Sequence, residues 1–198
     1  MKNPLSAALL AFVAFAVAVF AQAPPPPALP DTPPGCLRSA RDYRQVLMKD
    51  VQARLKQAGR QVTQDDVNLV GTRTADFAAA CAAQFTKGGV AASDVPALAE
   101  LQVEAQQIDA ARETIARAAS APGADAAAKA ATLSTGVRVL ARQFRQPGVL
   151  DQAEAWVTEL EKLPGDLVRE RIEAHGVLNN YYRADDIDAG IIRHSTRL

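Results

Sequence analysis

Residues 137–160 read VRVLARQFRQPGVLDQAEAWVTEL, and residues 174–197 read AHGVLNNYYRADDIDAGIIRHSTR. Laid over each other, the two stretches keep a single offset of 37 residues. Val137, Leu140, Ala141 and Phe144 meet Ala174, Val177, Leu178 and Tyr181. After a turn at Gly148 or Asp185, Leu150, Asp151, Ala153, Val157 and Leu160 meet Ile187, Asp188, Gly190, His194 and Arg197. Apolar residues three and four apart share one helical face. Each copy therefore holds one helix ending in an aromatic and a second with a small residue, Ala153 or Gly190, where the two cross. Self-similarity at a fixed period is the mark of a helical repeat array.

Composition agrees with an all-α chain. Aromatic residues make up only 5% of the 198, and strands favour aromatic and β-branched side chains. The 22 basic residues equal the 22 acidic ones, which argues against a nucleic-acid partner. Two cysteines and two histidines are too few for a zinc or iron–sulfur framework, so no metal and no cofactor is expected.

Upstream of the repeat the same periodicity continues. Ala40, Tyr43, Leu47, Val51, Leu55 and Ala58 form one stripe that Gly59 stops. Thr63 offers an N-cap, and Val67, Val70, Thr74, Phe77, Cys81 and Phe85 form the next stripe, ended by Gly88-Gly89. Cys36 and Cys81 both lie on these stripes, at equal distances from the turn near Gly59. In an antiparallel hairpin such residues stand at the same height, within reach of a disulfide. Closing that loop would contribute about 3–4 kcal/mol. A third helical segment opens at Ser93-Asp94 and carries Leu98, Leu101, Ala105, Ile108, Ile115 and Ala118 to Pro122-Gly123, with no turn before Ile108. Asp125, Gly148 and Asp166 open three more, and a last helix starts near Ile187.

The repeat resembles the tetratricopeptide repeat. The match is carried by residues 181–191, YYRADDIDAGI, by residues 148–153, GVLDQA, and by Pro122 and Pro164 where that family places its terminal proline. It covers about residues 125–198 and, more weakly, 95–122. The spacings of 37 and 42 exceed the family's roughly 34, and His194 and Arg197 stand where apolar residues are usual. The resemblance implies that the first helix of each pair lines an inner groove. Arg138, Arg142 and Arg145 would share one such face, and His175, Asn179 and Tyr182, with Arg183 beside them, another. Two unrelated solvated stripes are the plainer reading. A groove of this kind suits a carboxylate or an acidic peptide.

The chain begins like an exported protein. Lys2 precedes an apolar run from Leu5 to Phe20, and Val19-Phe20-Ala21 fits a signal-peptide cleavage site. An uncleaved anchor is the alternative, but 16 residues is short against the roughly 20 of a spanning helix. Seven prolines between Pro24 and Pro34 then read as a semi-rigid spacer that cannot pack. The expected organisation is a signal peptide at 1–21, a spacer at 22–35, a disulfide-linked hairpin at 36–90 and tetratricopeptide-like hairpins at 93–198. Such a protein works in the periplasm or outside the cell, where an oxidising medium favours the bridge.

No catalytic pattern accompanies this frame. His175 and His194 have no ligand spacing and read as solvated or interface histidines, and Ser134 and Ser195 lack a nucleophile setting. The first helix is basic, with Arg38, Arg41, Arg44, Lys49 and Arg54 among its charges. It could meet an acidic partner or anionic lipid, though a solvated face is the simpler account. Ile187, Ile191 and Ile192 leave a terminal helix uncovered, which points to self-association or to a further segment. The reading is thus a non-catalytic protein-binding or scaffolding protein with no stable membrane span after cleavage. The alternatives are the N-terminal accessory region of a larger exported enzyme, or a small α-helical enzyme.

Overall fold

The proline run ends inside a helix. Pro33 and Pro34 occupy the first turn of α1 (Pro33–Gln57), where an amide hydrogen is not needed, and the Thr32 side chain caps it by accepting from the Gly35 N–H at 3.2 Å. In this computed structural model residues 23–86, 89–184 and 188–195 are described. The expected signal segment through Gln22, and Ile187 and Arg197, lie outside them. Upstream of Thr32 the described chain is not helical, but it is no free spacer. The Tyr43 hydroxyl donates to the Pro24 carbonyl at 3.2 Å, and the Cys36 thiol to that of Pro30 at 3.3 Å. Proline lacks a donor but keeps its acceptor, and those acceptors hold the run against α1.

α2 (Gln64–Phe85) starts with a capping box, Asp66 N–H to Thr63 Oγ1 at 3.3 Å and Thr63 N–H to Asp66 Oδ2 at 2.8 Å. The third segment differs from expectation: it is two helices, α3 (Val95–Glu104) and α4 (Ile108–Ser120). Between them Gln106 adopts φ +61° while its N–H bonds Val103 O and the Gln107 N–H bonds Gln102 O, both within 2.9 Å. Gly59 closes α1 by the same pattern, at φ +65° with bonds to Lys56 O and Leu55 O. Both are left-handed helix terminations, but one uses glycine and the other does not. The remaining elements are α5 (Ala126–Leu140), α6 (Val149–Lys162), α7 (Val168–Ala184) and α8 (Asp188–Ser195).

Among the described residues eight helices form four antiparallel hairpins, and there is no strand. α1, α3, α5 and α7, the first helix of each hairpin, lie side by side in chain order. Each second helix also packs on the first helix of the next hairpin. Equivalent aromatics of the two repeat copies meet, Phe144 edge-on to Tyr181 with ring centroids 4.9 Å apart. Two crossings are too close for a side chain. A Cβ on Gly136 would stand 2.5 Å from the Trp156 ring, and one on Gly190 would overlap the Tyr182 ring. Trp156 and Tyr182 are thereby laid flat on the neighbouring helix backbone. Of the uncovered isoleucines, Ile191 packs against the core and Ile192 is 66% exposed.

Two cores result. One gathers Leu47, Leu55, Val70 and Phe77 with both cysteines, the other Ile115, Leu133, Val137, Leu140, Leu160 and Leu178. α3 serves both, giving Leu98 and Leu101 to the first and Ala99 and Val103 to the second. No helix among the described residues is long and apolar enough to cross a membrane. Cys36 and Cys81 come near each other as their symmetric placement requires, both fully buried, but as free thiols rather than the expected bridge. Burial, with the neighbouring Cys36, pushes the Cys81 thiol from 9.0 up to about 12.

Two measurements check these features. In reducing buffer the unfolded chain deprotonates its thiols near pH 9 while folded Cys81 holds its proton to about 12. Stability is therefore fully present below pH 9 and declines between 9 and 12, and urea melts should show a smaller decline in the Cys36→Ala/Cys81→Ala chain. Replacing Gln106 by glycine should raise stability by roughly 0.5–1 kcal/mol in the same assay, because it relieves the left-handed backbone at a residue outside the cores.

Candidate functional site

The face made by the four first helices is tied by charge. Arg41 on α1 pairs with Glu100 on α3 at 2.6 Å, and Arg138 on α5 takes the other Glu100 oxygen, also at 2.6 Å. Arg138 then turns its Nε to Glu173 on α7 at 3.1 Å, whose second oxygen accepts from the Ser134 hydroxyl at 3.2 Å. One ladder of ion pairs thus crosses all four hairpins. Exposed pairs contribute little singly, but a guanidinium bonded to two carboxylates is fixed in orientation. Beside the ladder Arg41, Glu100, Thr135, Arg138 and Arg142 line a hollow of about 200 Å³. Arg142 is exposed and makes no ion pair with another described residue.

The two stripes expected to line a groove fare differently. Arg138 and Arg142 lie on this face, although Arg138 is already committed to carboxylates. α5 gives way to a 3₁₀ turn at Ala141–Gln143, so Arg145 lies beyond the helix, exposed, and does not continue the stripe. His175, Asn179 and Tyr182 do not face solvent at all. They are buried at 1%, 6% and 8% exposure, because that side of α7 is the one covered by α6 and α8. Only Arg183, at the end of α7, is exposed.

What those buried residues form was not expected from sequence. His175 on α7 and His194 on α8 bring their Nδ1 atoms to 2.8 Å. Behind them, His175 Nε2 lies 3.0 Å from Glu161 Oε1, and His194 Nε2 lies 3.1 Å from Glu154 Oε1. Tyr182 stacks on the His194 ring at 8° and donates its hydroxyl to the same Glu154 oxygen, which Arg193 also approaches at 3.7 Å. Ser195 donates to Asn179 at 3.1 Å and closes the cluster. Burial and the Glu154 acceptor push the Tyr182 hydroxyl above the ordinary phenol range.

Proton counting defines the chemistry. The path Glu161–His175–His194–Glu154 has three contacts, and each needs one proton between its heavy atoms. Two neutral imidazoles bring two. The third has to come from one ring carrying both of its N–H groups. A second imidazolium would set two N–H groups head to head across 2.8 Å. Both rings are almost fully buried, and the group forms an interior clasp. It joins α6, α7 and α8 and so fastens the last hairpin to the array.

The sequence carried one faint signal for it. His194 fills the position that Val157 fills in the other copy, and a polar residue at a core position needs a partner. The partners sit 14 to 40 residues away in sequence, beyond the reach of a local pattern. Among the described residues no group of three or more histidine, cysteine, aspartate or glutamate side chains is placed to hold a metal ion. Compared with known families, characterised proteins and solved structures, the chain finds no match in any of the three.

The clasp is open to a double-mutant cycle. His175→Leu or His194→Phe alone should cost roughly 2–4 kcal/mol in chemical denaturation, because each strands a polar partner. Combined, they should cost less than the sum, since the facing ring nitrogens disappear together. Strict additivity would mean that the two rings do not share a proton.

Proposed function

We propose that this protein is an exported, non-catalytic binding module, a short array of tetratricopeptide-like hairpins whose first-helix face takes an acidic protein or peptide segment. The observation that carries this reading is Arg142, the cation left over beside a ladder that otherwise balances its charges. The ladder holds Arg138 and Arg41 in place, so an incoming carboxylate finds guanidinium groups already ordered and loses less entropy on binding. The row of first helices in chain order, the 37-residue repeat and the Phe144–Tyr181 contact support the family resemblance. The leader read in residues 1–21 supports export. Because the contact face is exposed, binding should weaken with salt over the range where the Debye length shrinks below about 8–10 Å.

Selection of a displayed random peptide library on the folded chain tests this. Enriched peptides should be acidic and bind the Arg142→Glu chain at least tenfold more weakly, with an unchanged melting temperature because Arg142 makes no ion pair with another described residue. A library that yields no enriched peptide, or peptides indifferent to the charge reversal, would remove this face as the binding surface.

A further inference from the structure

A second hollow lies away from the charged face, between the end of α2, the 3₁₀ turn at Ala92–Asp94, α3 and α4. It encloses about 420 Å³, within the range of small-molecule sites. Its walls are apolar: Phe85, Val90, Val95, Leu98 and Ala118 contribute most of its character. The charged residues on its lining are Glu113 and Arg117, which pair with each other at 3.1 Å and stand exposed at the rim. One lining side chain does not fit this picture. Gln102 is 3% exposed, and its Oε1 has no hydrogen-bond partner.

Buried polar atoms are almost always satisfied, and one that is not, beside a void, marks the place for a missing donor. The placement of Gln102 explains why it cannot find one within the protein. It sits on α3, between the two cores, where its neighbours Leu98, Leu101, Ala99 and Val103 are all apolar. The pairing of Glu113 with Arg117 leaves no net charge at the mouth, so an ionic ligand gains nothing there.

We propose that this cavity binds a neutral, largely apolar small molecule that donates one hydrogen bond to Gln102. An alcohol, an amide or an aryl amine has the right chemistry, and a fatty-acid anion does not. The site is separate from the first-helix face, and Arg142→Glu should leave it untouched.

Two probes of nearly equal shape test it on the full chain. N-phenyl-1-naphthylamine is apolar and carries one N–H donor, and 1-phenoxynaphthalene replaces that N–H by an ether oxygen. Calorimetric titration should give one saturable site for the amine and about three- to tenfold weaker binding of the ether, the usual worth of one hydrogen bond. Gln102→Leu should erase the difference between the probes and raise the melting temperature of the free protein, since it removes a stranded acceptor. Ala118→Phe, which fills the cavity, should weaken both probes at least tenfold. The proposal is overturned if the amine shows no saturable binding, or if the unaltered protein binds both probes equally. Undiminished binding to the folded Ala118→Phe chain would likewise sink it.

Discussion

The ten residues of α3 stand between two hydrophobic cores and must satisfy both. A helix covered on one side can turn its polar residues to water, whereas α3 has only a narrow strip left. Glu100 and Glu104 use that strip, and their carboxylates become anchor points for arginines on α1 and α5. Gln102 falls on neither the strip nor an apolar side, and it is buried with an unanswered oxygen. The left-handed Gln106 then reverses the chain at once, so that α4 can cover the face of α3 that α2 leaves bare. Ion ladder, cavity and hairpin order all follow from this one element being enclosed on two sides.

Polar groups in the rest of the interior are handled by pairing rather than exposure. The Cys36 thiol answers the Pro30 carbonyl, and the histidines answer each other and two glutamates. The two pairs lie at opposite ends of the molecule, one in each core. The imidazole pair ties the last hairpin, at the end of the row where fewer neighbours are available to hold it. Tyr182 shows how closely these needs are combined, since it covers Gly190, stacks on His194 and bonds Glu154.

The helices and most of their ends were legible in the sequence because they depend on local chemistry. Gly59, Thr63, Asp125 and Gly148 act where they stand, through backbone freedom or capping. The break at Gln106 was not legible, since glutamine carries no turn signal and the reversal is imposed by what α3 and α4 must bury. The meeting of Cys36 and Cys81 could be read because hairpin symmetry is simple geometry. The burial of His175, Asn179 and Tyr182 could not, because a helix with two apolar neighbours has two inward faces and a stripe of mixed residues does not say which it is. The expected groove therefore kept Arg138 and Arg142 and lost its other wall.

Each hairpin's principal contacts reach only the hairpin before it and the one after. Little of the fold therefore depends on closing long loops, and such contact maps favour rapid folding. A chain built this way can gain structure progressively as it emerges from a narrow passage, each new hairpin finding a finished surface to dock on. The same locality lets the row be lengthened or shortened by whole hairpins in evolution, provided that each new end brings its own fastening as the imidazoles do here.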